Sequence, residues 1–555
     1  MLSLYSQSPD VLPDRLPIHV HEFLQICLKP IDDNDLKLTW EILKLVAWDQ
    51  KYDYLVAQKL AHKYLQLFLD HRHCRGIGKP CILSTYYVHA KSSQRTYYKE
   101  VTKFLQIATH VFISSRTCEL FSTMMVTAWT SATNCARIYN KGLAVNLFTP
   151  LLPASFKKSF KLDVEDIWTA LFTYWLLEDC KTMDTMLQVN HNAPSEFQRL
   201  LPSLQARNAR ISGTGQAEWN HVCDQCCWVE TLPDGQLSEV RGTTISANRV
   251  GAPSISTIHD CTEPLESVKD HFCAKHKHHA KECAVVACHQ EVEPGYKTCA
   301  LPDHRKHQLA CLKVMQPADS LSASQDVNEV TQTADGETEV IPAENCNRKP
   351  DIGNRKLRAR FGRRRTHNEQ LCVASCGVIV GRATFFGSEA LNSVRTFLMR
   401  LFPTKKSLPG VIWYDNNCKM REMLNNDTDP HLKGYFDDIA LPVDVFHFKC
   451  KHKESDVNCN MYCNPYRWEE LRTADGKWRF NSSAAEQGNG WFGGYQSIVR
   501  EMQVDRYNFF LDEMIARRNQ LIVADLKAKL HAPHYIPRHV LLSSSDSDFV
   551  PRSMA

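Results

Sequence analysis

The chain has 555 residues and a mass of 63.6 kDa, more than one hydrophobic core of about 250–300 residues accommodates, so more than one domain is expected. A hydrophobic content of 43% and an aromatic content of 10% exclude wholesale disorder, and a formal charge of +4 is too small to mark a nucleic-acid binder by itself. No run approaches the roughly 18 apolar residues of a membrane span, and His19, His21 and Glu22 stand where a signal peptide would be apolar, so neither membrane insertion nor secretion is expected.

Residues 1–70 predict a helical N-terminal region, with Leu36, Trp40, Leu43 and Ala47 at helical spacing. A turn follows at Cys74, Gly76, Gly78, Pro80 and Cys81. Residues 71–220 read as a mostly helical, cysteine-containing module. Its stripes at Phe104, Ile107, Val111 and Phe112, and at Ile167, Leu171, Phe172 and Trp175, are core faces rather than a cofactor box. From Cys223 to Cys311, nine of the 22 cysteines are interleaved with eight histidines. Without a secretory signal, such clustering points to metal before disulfides. Residues 316–368 read as a disordered linker ending in a basic segment. Strand-like runs at 371–386, 410–415 and 443–448 precede a long helix after Ser483, and the tail 531–555 reads as disordered. The expected fold class is α+β: a largely helical N-terminal half, a zinc-stapled cysteine/histidine cluster over 221–315, and a mixed sheet with a long C-terminal helix over 369–530.

The densest motif is Cys261, Cys273-x2-His276, Cys283-x4-Cys288 and Cys299-x4-His304. Thiolate and imidazole donors at such spacings close tetrahedral zinc sites, and seven donors nearly fill two. Cys223 or Cys226, His259 and His307 are the alternatives for the eighth. Cys223-x2-Cys226 is a further candidate pair. A third constellation is His447-x2-Cys450-x-His452 with Cys459-x3-Cys463. There His452, Cys459 and Cys463 are the preferred ligands, and His447 or Cys450 completes the set. The competing reading is scattered buried cysteines and exposed histidines, which explains repeated close pairs poorly.

Asp415 ends the apolar strand Val411–Tyr414, and Glu486 opens the helix after Ser483. A strand-end Asp, a helix-borne Glu and a further Asp on a central strand make the RNase H-like arrangement, in which carboxylates hold two Mg2+ or Mn2+ ions about 4 Å apart on a phosphodiester. The bland alternatives are a turn at Asp415-Asn-Asn and a Ser483/Glu486 capping box.

Together, Cys376-Gly-Val-Ile, Ser388-Glu389, Tyr414-Asp415-Asn-Asn-Cys418, Val445-Phe-His447-Phe and Ala485-Glu486-Gln-Gly-Asn-Gly-Trp491 resemble the KDZ (Kyakuja–Dileera–Zisupton) transposases. Gln94–Tyr98, Ala128–Asn140 and Arg500–Met514 resemble the fungal cysteine-cluster proteins associated with those transposases. The resemblance implies zinc-chelating modules attached to, or inserted in, an RNase H-like DDE domain, and DNA transposition in the nucleus as the ancestral activity. It puts Asp415 and Glu486 at the second and third acidic positions. For the first, the best strand is Leu237–Ile245, where Arg241-Gly242 replaces an expected Asp-Gly. A guanidinium beside both carboxylates would repel the metals. Glu389 and Asp444 are the candidate substitutes.

Three functional readings follow. The first is a zinc-binding, DNA-associated nuclear protein with a degenerate transposase centre. Its phosphate contacts would be Arg355, Lys356, Arg358, Arg360, Arg363, Arg364 and Arg365, seven basic residues among eleven that also read as a nuclear localisation segment. The second is an active DDE transposase using two divalent ions. The third is a zinc-stapled protein–protein adaptor. A homo-oligomer or a partner transposase fits either of the first two.

Overall fold

The computed structural model describes, with short breaks, residues 86–143, 161–314, 329–341 and 358–543; the expected helices of 1–70, the Cys74–Cys81 turn and the last part of the tail lie outside the described residues. The chain divides into two compact units, residues 1–206 and 207–555. No described helix is long and apolar enough to cross a membrane.

In the first unit, strands β1 (Tyr86–Val88), β2 (Gln94–Tyr97) and β5 (Gln188–Asn190) form an antiparallel sheet, and β3 (Phe104–Ala108) pairs with β4 (Val111–Ser114). The stripe read as helical at Phe104–Phe112 is therefore a hairpin. Its burial alternates, with Leu105 and Ile107 inside and Phe104 exposed, which is the strand period rather than the helical one. The chain passes directly into α1 (Ser115–Ala128), whose N-cap Ser114 accepts from the Thr117 amide at 3.0 Å. After α2 (Ala132–Ile138) comes α3 (Val164–Thr182), opened by an Asp163/Asp166 capping box. Ile167, Leu171, Phe172 and Trp175 lie on its buried face, and the Trp175 indole donates to Ser122 Oγ at 2.9 Å. Helix α4 (Glu196–Ile211) leads into the second unit.

The second unit is built on one long strand. After β6 (His221–Val222) and β7 (Cys227–Thr231), the 12-residue β8 (Leu237–Asn248) runs through the middle of a sheet ordered β15-β14-β8-β16. β14 (Asn368–Ala374) and β15 (Ile379–Phe385) form an antiparallel hairpin, β14 is antiparallel to β8, and β16 (Val411–Tyr414) is parallel to β8 with Tyr414 opposite Ile245. β7 pairs with the first half of β8. Residues 440–442 extend the parallel side, since Ile412 N–H donates to Ala440 O and Tyr414 N–H to Pro442 O. All seven residues of β14 are buried, as expected of an internal strand covered on both faces.

Helices cover this sheet: α6 (Leu391–Leu401), α7 (Asn417–Asn425), α10 (Ala484–Phe492) and the 25-residue α11 (Val504–Ala528). Between β8 and β14 lie β9 (Ser254–Ile255), a 3-10 segment at Ala274–Lys281 and α5 (Pro302–Val314). Within 316–368, read as a linker, β10 (Glu329–Gln332), β11 (Thr338–Ile341) and β12 (Arg358–Ala359) form an antiparallel ladder, and β13 (Arg364–Arg365) pairs with β9. The β-branched residues of Glu329–Gln332 and Thr338–Ile341 favour strands despite the polar setting.

The third strand expected at Val443–Phe448 is instead the start of helix α8 (Val445–Lys451). Asp444 causes the change, because its Oδ1 accepts from the amides of Phe446 (3.0 Å) and His447 (3.1 Å) and so caps a helix. Helix α9 (Val457–Tyr462) follows. At the C-terminal end, β17 (His534–Tyr535) pairs with β6 and α12 (Arg538–Leu541) follows, so the first part of the segment read as a disordered tail is folded.

Candidate metal centres

Cys283, Cys288, Cys299 and His304 converge, with one ligand atom from each lying within 4.8 Å of all the others. The Cys283 amide donates to Gln290 O at 2.8 Å and the Cys288 amide to Val285 O at 3.0 Å, which folds this stretch into a tight turn; His304 enters from the first turn of α5. Tetrahedral zinc with Zn–S bonds of about 2.3 Å separates two sulfurs by about 3.8 Å. Cys288 and Cys299 Sγ are 3.9 Å apart, and His304 Nδ1 is 3.5 Å from Cys283 Sγ and 3.3 Å from Cys299 Sγ. The donor set fits zinc and closes the site, leaving no open position for chemistry. Cys273 and His276 stand together with Sγ 3.2 Å from Nδ1. Cys261, read as their companion, lies outside the described residues.

Cys223 and Cys226 also acquire companions. His221 and Cys376 join them, again with all four ligand atoms within 4.8 Å of one another. The Cys223 amide donates to Cys226 Sγ at 3.3 Å, and the two sulfurs are 3.6 Å apart. Hydrogen bonds from Cys226 and Cys376 hold Cys223 far below the ordinary thiol range. His221 was not among the expected ligands, although its spacing in His221-x-Cys223 is that of a donor pair. Cys376, 150 residues beyond Cys226 (376 − 226), carried no local signal.

In the third constellation, Cys459 and Cys463 are buried around Val443 with Cys418 packed against them. Burial pushes both buried thiols up to about 12. His452 lies outside the described residues, and Cys450 is exposed. His447 does not join them. It stands with Asp415 and Glu486, all three offering ligand atoms within 4.8 Å of one another.

This acidic centre is assembled by four elements. β16 delivers Asp415 at its end, α8 delivers His447, and α10 delivers Glu486. β8 supplies Ser246, whose hydroxyl donates to Glu486 Oε1 at 2.8 Å. His447 Nδ1 is 3.1 Å from Asp415 Oδ1 and 3.1 Å from Asp444 Oδ1. Asp444 is spent locally, since its Oδ2 accepts from Ser483 at 3.1 Å. Its burial would raise the carboxyl, but hydrogen bonds from Ser482, His447 and Ser483 hold it below the usual range. Ser483 makes no side-chain cap to α10, so Glu486 is not held in a capping box. Glu389 accepts from the Tyr414 hydroxyl at 3.1 Å and from Asn368 at 3.3 Å, which commits it elsewhere.

Arg241 is not in this centre. Its guanidinium pairs with Glu239 at 3.2 Å and donates to the carbonyls of Lys406 and Leu408. These partners lie ahead of β16, at the end opposite Asp415. Ser246 lies five positions beyond Arg241 on β8, about 16 Å at strand rise. The residue at the level of Asp415 is Ser246, one beyond the Tyr414–Ile245 pair.

Of the basic segment, Arg358 lies in β12 and Arg364 and Arg365 in β13, whereas Arg355, Lys356, Arg360 and Arg363 lie outside the described residues.

Comparison with known families places two of these regions. Residues 59–143 match the family model described as CxC5 like cysteine cluster associated with KDZ transposases, and residues 246–310 match CxC6 like cysteine cluster associated with KDZ transposases. The second match contains Cys283, Cys288, Cys299 and His304; Asp415, His447 and Glu486 lie outside both. No curated protein and no solved structure matches the chain.

Proposed function

We propose that the chain is a zinc-binding, DNA-associated nuclear protein derived from a KDZ-type transposase, with an RNase H-like centre that has lost its first acidic ligand. The two matched cysteine clusters support the transposase origin. The strand order β15-β14-β8-β16, three antiparallel neighbours followed by a parallel one, supports an RNase H-like sheet. The observation that carries the degenerate reading is Ser246. Beside Asp415, where a shared carboxylate would bridge two metals, a neutral hydroxyl donates to Glu486 instead. Asp415, Glu486 and His447 are then a ligand set for one divalent ion, Mg2+ or Mn2+, and not two.

Ser246→Asp tests this. It adds a negative charge about 4 Å from the cation, where the attraction amounts to several kcal/mol at an effective dielectric of about 20 before dehydration is subtracted. Mn2+ affinity by calorimetry is expected to rise about tenfold or more, and Asp415→Asn is expected to lower it by about as much. The natural chain is expected to leave DNA uncut. Divalent-dependent strand cleavage by the natural chain, abolished in Asp415→Ala, would establish the active-transposase reading instead. That reading has one observation in its favour, the distance of the Arg241 guanidinium from both carboxylates.

DNA association rests on the basic run 355–365. Binding through phosphates releases counterions, so retention on DNA is expected to fall with a log–log salt slope of about −0.9 per contact. Replacing Arg355, Lys356, Arg358 and Arg360 with Ala is expected to flatten that slope. Salt-independent behaviour would favour the protein–protein adaptor.

A further inference from the structure

We propose that His221, Cys223, Cys226 and Cys376 form a second, closed Cys3His zinc site, which clamps the folded C-terminal segment and the β14–β15 turn onto the loop before β7. None of the four residues lies in a matched cysteine-cluster segment. The inference therefore goes beyond the proposed function and does not depend on it.

The first support is convergence of four donors with zinc-like spacing. The 3.6 Å between Cys223 and Cys226 sulfurs is close to a tetrahedral edge and far too long for a disulfide. The second is His221, 4% exposed, whose two ring nitrogens are both buried with no partner beyond the Cys223 thiol beside them. Buried imidazole nitrogens are otherwise satisfied, and zinc would take one of these. The third is charge. Zn2+ with three thiolates and a neutral imidazole carries one net negative charge. Arg518 answers it: its guanidinium interacts with Cys376 and donates to Gly377 O at 2.8 Å.

The topology gives the site its role. Tyr535 pairs with His221 and His534 with Val222, so the ligand strand β6 also holds the segment that follows α11. Cys376 sits in the β14–β15 turn, next to Gly377 with φ +96, a conformation suited to glycine. One ion would join residues 221–226 to the β14–β15 turn, and β6, which carries His221, holds the third segment through β17.

The test uses the full-length chain, purified without chelator. Metal analysis is expected to find one zinc fewer per chain in Cys376→Ser than in the parent, and recovery in Cys376→His, which restores a donor. Cobalt-loaded Cys376→His should show a weaker thiolate-to-cobalt charge-transfer band than the cobalt-loaded parent. Amide exchange at Tyr535 and Ile536 should quicken in Cys376→Ser. Cys299→Ser should lose its own zinc independently, so the double variant loses two; failure of one site is thus distinct from failure of the other. An unchanged zinc content in Cys376→Ser, or iron in place of zinc, overturns the site, and unchanged exchange at Tyr535 overturns the clamp. If Cys376→Ser does not fold, the parent decides. Alkylation of half-buried Cys376 should accelerate when chelator is added in native buffer, and an equal rate with and without chelator overturns the proposal.

Discussion

Stripping zinc from the full-length chain is expected to unfold the Cys283–His304 region while leaving β14 and β15 protected. Apart from its metal donors, this region has little to hold it. Its buried apolar cluster is Cys283, Val285, Cys299 and Ala359, with Ala284 and Cys288 at the edge, so half of its core is the ligand set itself. Binding energy of about 10–16 kcal/mol, the range for structural zinc in finger-like peptides, would be folding free energy here. Removing the ion from a site without an alternative core leaves ordering entropy uncompensated. Hydrogen exchange mapped by mass spectrometry gives the readout: residues 283–304 should lose protection with chelator and regain it with added zinc. Cys299→Ser should reproduce the loss without chelator. Acid should act in the same direction, because protons compete with zinc for the thiolates and the imidazole. Persistence of full protection in metal-free protein would show that this region folds on its own packing.

The second large effect is expected at Arg382. Its side chain, 5% exposed, reaches Glu369 Oε2 at 2.7 Å and Asp512 Oδ1 at 3.0 Å, while Tyr507 donates to the other oxygen of Glu369 at 2.8 Å. One guanidinium therefore serves two buried carboxylates and ties β14 and β15 to α11. Arg382→Met would leave both carboxylates buried without their cation, and a loss of about 3–5 kcal/mol is expected in urea unfolding. The triple variant Arg382→Met, Glu369→Leu, Asp512→Leu should recover much of that loss, since the pair's desolvation cost goes with it. Equal destabilisation in both variants would mean that packing volume, not charge, governs the position.

The legible parts of this molecule are those whose determinants are close in sequence. Cys283-x4-Cys288 and Cys299-x4-His304 could be read because short spacings put donors on adjoining turns. Trp175 and its neighbours could be read because α3 is a long periodic helix. Pairing across distance was not legible. Cys376 meets Cys223 only because a hairpin turn carries it there, and Ser246 faces Glu486 only because β8 is in register with β16. A strand shifted by one residue turns its side chains to the other face, so choosing Ser246 over Arg241 required a register that no local pattern encodes. Asp444 turned an expected strand into a helix by capping it, a short-range effect hidden inside an apolar run.

The arrangement of β8 and β14 also sets a timetable for synthesis. Asn248 pairs with Glu369, 121 residues later (369 − 248), although the two strands are immediate neighbours in the sheet. At about 5–20 residues per second, β8 leaves the ribosome some 6–24 s before its partner exists. During that interval β7 can pair with it, but the row of backbone groups destined for β14 has nothing to bond. Closing a free loop of that length costs about 2.8 kcal/mol more than closing one of five residues. A zinc-bound intervening segment would shorten the effective loop before β14 arrives. Metal supply during translation would then decide how long the nascent chain presents an open β edge to its neighbours on the polysome.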